Sequence, residues 1–159
     1  MVSSIDEPVV GALVMGKVAE AHERGVQLNV STLGSGTAPG VAVQDLVTIL
    51  GNLLDNAIDA AADSPPPRRV ELTLEADDEG LDIAVNDSGT PIDPSDSDRI
   101  FRHGFSTKPA GAGGRGIGLA LVRQAVQRLG GTLAINGRHG AKFEVFLPAA
   151  VSAEKEHRQ

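Results

Sequence analysis

Residues 99–131 read RIFRHGFSTKPAGAGGRGIGLALVRQAVQRLGG, a glycine-rich basic loop that runs directly into an apolar helical pattern. Gly111, Gly113, Gly114, Gly116 and Gly118 free the backbone and leave its N–H groups uncovered by side chains. The pattern predicts a helix over 116–129 whose positive dipole end faces back onto the loop. Arg99, Arg102, Lys108, Arg115, Arg123 and Arg128 fall here, and no acidic residue lies between Arg99 and Phe143. Arg123 and Arg128 are expected to point to solvent. A basic, glycine-rich lid in a chain of net charge -7 suits a polyphosphate ligand.

Outward from the lid, 159 residues suit one domain with a substantial core. Residues 1–7 and 149–159 read as tails around a domain at 8–148. Aromatic content is 3%, without Trp or Tyr, which removes a stacking platform for bases. Together with the acidic balance this argues against a nucleic-acid partner. The absence of cysteine excludes disulfides, thiol catalysis and Cys-based zinc sites. No apolar run approaches the roughly 20 residues of a membrane span, and no signal peptide is evident. A soluble, cytoplasmic piece without membrane contact is expected.

Helical spacing runs from Pro8 to about Arg24, through Val10, Leu13, Val14, the Lys17 stem, Val18 and Ala21. Val26–Ser31 alternates as a strand. Val43–Asp63 is the most strongly patterned helix, with Leu46, Leu50, Leu53, Leu54, Ala57, Ile58 and Ala61 on one face. Arg68–Ala76 and Gly80–Asn86 form a hairpin about Asp77-Asp78-Glu79, and Asp87–Asp98 is a polar loop. Helix 116–129 is expected to bury Leu121, Val122, Ala125, Val126 and Leu129. Thr132–Asn136 and Ala141–Leu147 form a second hairpin. The fold class is α+β: a two-layer sandwich with about three helices on one face of a mixed sheet of about five strands.

Asn52, Asn56 and Asp59 stand at i, i+4 and i+7, a polar stripe opposite the leucines. Asn competes for backbone groups and is a poor mid-helix residue, so two in register argue for more than a solvated face. Such oxygen ligands suit Mg²⁺ when phosphates complete its shell. Asp87-Ser88-Gly89-Thr90-Pro91-Ile92 follows an apolar strand. It reads either as an ordinary turn or as an Asp placed to meet a ligand's exocyclic amine.

Taken in order, these stretches resemble the ATP-binding domain of sensor histidine kinases, of the Bergerat-fold superfamily that also holds gyrase-type ATPases. Asn52-Leu53-Leu54-Asp55-Asn56-Ala57 is similar to the N box and Asp87-Ser88-Gly89 to the first glycine box. Ile100-Phe101 to Phe105-Ser106-Thr107-Lys108 is similar to the F box, and Gly114-Arg115-Gly116-Ile117-Gly118-Leu119 to the second glycine box. The wording is nearest the citrate and C4-dicarboxylate sensor group.

The resemblance implies that Asn56 holds the Mg²⁺ of Mg-ATP, with Asn52 beside it and Asp87 on the adenine amino group. It implies further ATP-binding roles for Asp59, Gly89, Ile92, Thr107, Gly114, Arg115, Gly116, Ile117, Gly118 and Leu119. Asn52, Asn56 and Lys108 are the implied catalytic set, and Lys108 and Arg115 the candidates for phosphate neutralisation. Pro91 and Ala141 depart from the family pattern, one stiffening the loop and one omitting a hydroxyl. Hydrolysing relatives carry Glu at position 52; Asn is no base near neutral pH, which implies phosphoryl transfer to a histidine rather than hydrolysis. None of His22, His103, His139 and His157 sits in a suitable acceptor helix. The implied partners are therefore a separate histidine-containing dimerisation domain and, downstream, a response regulator. The other readings are a non-catalytic nucleotide sensor and an anti-sigma-factor-type serine kinase. Asn52 and the FSTK lid disfavour the latter.

Overall fold

The computed structural model describes residues 5, 7–35, 40–89, 114–136 and 140–149, with 114–117 described through the backbone alone. The elements are α1 (Pro8–Glu23), β1 (Gln27–Leu33), α2 (Val43–Ala62), β2 (Arg69–Asp77), β3 (Gly80–Asp87), α3 (Gly114–Arg128), β4 (Thr132–Asn136) and β5 (Lys142–Pro148). The strands form one sheet in the order β1-β2-β3-β5-β4. β1 and β2 are parallel, because α2 crosses between them; the other neighbours are antiparallel. Among the described residues this is the expected α+β sandwich, with five strands and three helices.

Strand alternation decides which face is covered. Val70, Leu72 and Leu74 of β2, Leu81, Ile83 and Val85 of β3, and Phe143, Val145 and Leu147 of β5 are all buried. One register row, Val30–Leu72–Val85–Phe143–Ile135, crosses all five strands on this face. The helices lie over it: α1 contacts β1, α2 contacts β2 and β3, and α3 contacts β4 and β5. The opposite face carries Glu71, Thr73, Asp82, Asn86 and Lys142, none of them buried.

Helix ends follow local chemistry. The Glu7 carboxylate accepts from the N–H groups of Val9 and Val10, Pro8 opens α1, and Gly25 closes it at φ 77°. α3 begins at Gly114, two residues before the sequence expectation, so its first turn is made of the glycine-rich segment. Within α3, Leu121 is 43% exposed and Leu119 takes the expected core place at 4%. Both fit helical periodicity, Leu119 as i−3 of Val122 and Leu121 as i−4 of Ala125. Packing against α2 and the sheet selects Leu119.

Charged pairs tie the helix layer together. Lys17 Nζ donates to Asp55 Oδ1 at 2.5 Å, and Arg24 Nη1 donates to Asp59 Oδ1, both joining α1 to α2. Arg128, expected to point to solvent, is exposed but pairs with Asp45 at the start of α2. Burial opposes the Lys17 charge, yet the hydrogen bond and charge of Asp55, helped by Glu20, hold its pKa above the ordinary lysine value.

Leu54 is fully buried; Leu54→Ala is expected to lower unfolding free energy by about 2–5 kcal/mol in a denaturant titration. Arg128→Ala, at a mostly exposed pair, is expected to cost under about 1 kcal/mol. Because the Lys17 pKa is raised on folding, its contribution is complete below the unfolded value and is lost as pH rises through the folded one. The stability gap between the wild type and Lys17→Met is therefore expected to hold constant from neutral pH to about pH 10 and to shrink above that.

Candidate functional site

The apolar face of α2 is fully consumed by the core: Leu46, Ile49, Leu50, Leu53, Leu54, Ala57, Ile58 and Ala61 are all buried. What remains is a ridge at i, i+4 spacing, Thr48–Asn52–Asn56–Ala60, whose members are half-buried. Asn52 solves its own mid-helix problem by donating Nδ2 to the Thr48 carbonyl at 2.7 Å. Its Oδ1 then faces α3. A Cβ built at Gly118 would lie 2.4 Å from that oxygen, so α3 approaches Asn52 only because position 118 lacks a side chain.

The other end of the ridge meets the end of β3. A Cβ built at Gly89 would lie 2.9 Å from both the Ala60 Cβ and carbonyl, so the Asp87-Ser88-Gly89 turn rests on α2. Asp87 is paired in register with Val70, which turns its side chain to the helix-covered face, and it is 1% exposed. Its Oδ1 accepts from the Gly89 N–H at 2.7 Å and the Ala141 N–H at 3.4 Å. One oxygen of Asp87 thus shapes the turn, as the turn reading expects. Ala141 also accepts from the Asp87 N–H at 2.9 Å, which puts this family departure directly beside Asp87. Gly140, at φ 99°, permits the contact, since a Cβ there would lie 1.9 Å from the Asp87 carbonyl oxygen.

From Asn52 to Ala60 the ridge spans about 12 Å at 1.5 Å per residue. Asn56 lies midway. An elongated ligand along it would meet Gly118 and Asn52 at one end and Asp87 at the other. Among the described residues no group of three or more His, Cys, Asp or Glu is placed to hold a metal. Asn56 offers an amide oxygen, a hard donor of the kind Mg²⁺ accepts beside phosphate oxygens.

The family model for histidine kinase-, DNA gyrase B-, and HSP90-like ATPases matches residues 41–151, which takes in the whole ridge and both of its ends. The chain belongs to this ATPase family. It is 33% identical over 162 residues to sensor histidine kinase DcuS of Escherichia coli K12, covering 99% of this chain and 29% of that protein. It is 34% identical over 152 residues to sensor protein CitS of Bacillus subtilis, covering 91% of this chain and 27% of that one. The chain thus spans under a third of these curated relatives and corresponds to their ATPase-type domain. In fold it matches the nucleotide-free catalytic domain of histidine kinase ThkA at TM-score 0.75, with 22% identity and coverage of 89% and 90%. Full-length ShkA in complex with AMPPNP aligns at TM-score 0.68 and 27% identity, over 90% of this chain and 30% of that one.

Of the residues expected from sequence, the structure brings together Asn52 with Gly118, and Asp87 with Gly89. It sets Asn56 on the ridge between them. Gly114 and Gly116 lie in the backbone of the first turn of α3, whereas Leu119 is a core residue at 4% exposure. From the spacing Asp59 belongs with the asparagines, yet it is 8% exposed and pairs with Arg24 of α1. Ile92, Thr107, Lys108 and Pro91 lie outside the described residues, as do the side chains of Arg115 and Ile117 and the histidines at 103, 139 and 157. His22 is exposed in the last turn of α1. Lys17, Arg24 and Ala60 join the surroundings of the site without a sequence signal beyond their charge or small size.

Gly118→Ala is expected to displace the Asn52 side chain, read as a shift of its side-chain amide resonances. Gly16 is the control: a Cβ there meets nothing within 4 Å on an exposed face of α1. Gly16→Ala is expected to leave those resonances in place and to stabilise by roughly 0.5–1 kcal/mol.

Proposed function

We propose that this domain binds Mg-ATP along the 52–56–60 ridge of α2 and acts as the catalytic domain of a sensor histidine kinase. One observation carries the reading. A single helix ridge joins the start of a glycine-rich helix, through Gly118 against Asn52, to a buried aspartate turn, through Ala60 against Gly89. Phosphates at the Gly118 end would meet the positive end of α3. Adenine at the other end would meet Asp87, whose carboxylate is already fixed by two backbone N–H groups.

In this reading Asn56 holds the Mg²⁺, which neutralises phosphate charge when bound. Asn52 has an amide where a carboxylate base would be needed to activate water. The chain therefore positions the γ-phosphoryl group rather than hydrolysing it. The P–O bond to the ADP leaving group breaks as a P–N bond forms to an imidazole of the histidine-containing dimerisation domain, and ADP departs. Lys108 and Arg115 supply further positive charge from the lid. A response regulator receives the phosphoryl group downstream, and the domain works on the cytoplasmic side. Among the described residues no helix is long and apolar enough to cross a membrane.

Binding of a non-hydrolysable ATP analogue, titrated with and without Mg²⁺, tests the assignment. Asn56→Ala is expected to abolish the Mg²⁺-dependent gain in affinity, and a gain as large as that of the wild type would remove Asn56 as the metal ligand. Phosphorylation in trans of the cognate dimerisation domain is expected, with little phosphate release by the domain alone.

A further inference from the structure

Helix α2 is gripped on two edges. On one, Gly118 of α3 closes onto Asn52. On the other, Lys17 Nζ reaches Asp55 Oδ1 at 2.5 Å and Arg24 Nη1 reaches Asp59 Oδ1. Asp55 and Asp59 follow Asn52 and Asn56 by three residues each, so every carboxylate is the ridge-to-ridge neighbour of one asparagine. The α1 contacts thus flank the whole polar segment of α2.

The buried leucines and isoleucines hold α2 in the core. Burial itself is non-directional, which leaves the fine rotation of the helix to contacts at its edges. Hydrogen-bonded charge is directional. A roll of about 20° moves a side-chain tip by about 2 Å on a helix roughly 5–6 Å in radius. That is enough to take Asn56 away from a ligand held at Asp87. We propose that Lys17 and Arg24 are positioning residues for the nucleotide site: through Asp55 and Asp59 they fix the rotation of α2 that presents Asn52 and Asn56, without touching nucleotide themselves. This deepens the reading of α2 as the Mg-ATP ridge and rests on it.

Three features fit a positioning role. The two pairs reach the same carboxylate row one turn apart, so together they resist roll where a single pair would act as a pivot. Each pair has one shielded partner: the Lys17 side chain is 16% exposed against 43% for Asp55, and that of Asp59 12% against 39% for Arg24. The cations also offset two carboxylates that would otherwise stand one ridge away from a triphosphate.

The test uses Lys17→Met, the double variant Lys17→Met/Arg24→Met, the conservative Lys17→Arg, and the swap Lys17→Asp/Asp55→Lys. Three quantities are read for each: melting temperature, affinity for a Mg-bound ATP analogue at a temperature where the variant is fully folded, and the side-chain amide resonances of Asn52 and Asn56 without nucleotide. The expected result is that Lys17→Met weakens analogue binding roughly tenfold and shifts both amide signals. The double variant is expected to do more, while Lys17→Arg or the swap recovers most of the affinity. A lowered melting temperature with both amide signals and affinity unchanged would show a purely structural pair and overturn the proposal. The amide signals also separate the two claims. If the wild type binds no analogue, the nucleotide reading fails, and the signals still report whether α1 sets the asparagines.

Discussion

The structure turns on one conflict inside α2: the helix must be buried almost completely and yet keep a polar ridge open. Eight of its side chains fill the centre of the core, which leaves little perimeter for anything else. The conflict is resolved by giving the remaining perimeter to specific partners instead of water. The carboxylate row goes to α1 through Lys17 and Arg24, and the Asn52 oxygen goes to the bare backbone of α3 at Gly118. The sheet beneath and the end of β3 complete the enclosure. A helix held along both edges in this way is a firm base beneath its open ridge. Such a base suits the proposed phosphoryl transfer, which depends on placement more than on proton chemistry.

The two ends of the ridge are built by different means. At Asp87 the geometry is set by hydrogen bonds: a carboxylate oxygen held by Gly89 and Ala141, with Gly140 making room. At Asn52 it is set by a steric fit against α3 and one bond to Thr48. The first end is anchored in the sheet, where each strand is fixed by its neighbours. The second depends on where α3 sits.

Much of this was legible in the chain itself. The alternating strands and the apolar face of α2 follow from spacing, because spacing is what a core imposes locally, and the glycine and asparagine boxes were legible through their resemblance to those of histidine kinase ATP-binding domains. Four things were not. Leu119 and Leu121 fit the same helical period, and only the neighbouring surfaces choose between them. Lys17 was legible as a stem on an apolar face, but its ammonium finds Asp55, 38 residues away, and no local pattern records that. Asp59 shares a stripe with Asn52 and Asn56 by period, yet it lies at the stripe's edge, where a long-range cation captures it. The parallel pairing of β1 with β2 is likewise a property of the crossover and not of either strand.

The contact between Gly118 and Asn52 links two positions that are 66 residues apart in sequence but share one small volume. A Cβ at 118 would press on the Asn52 amide oxygen, and a longer side chain at 52 would have to find its place against the same stretch of α3. Residues in contact couple energetically, so the effect of a substitution at either position is expected to depend on the residue held at the other.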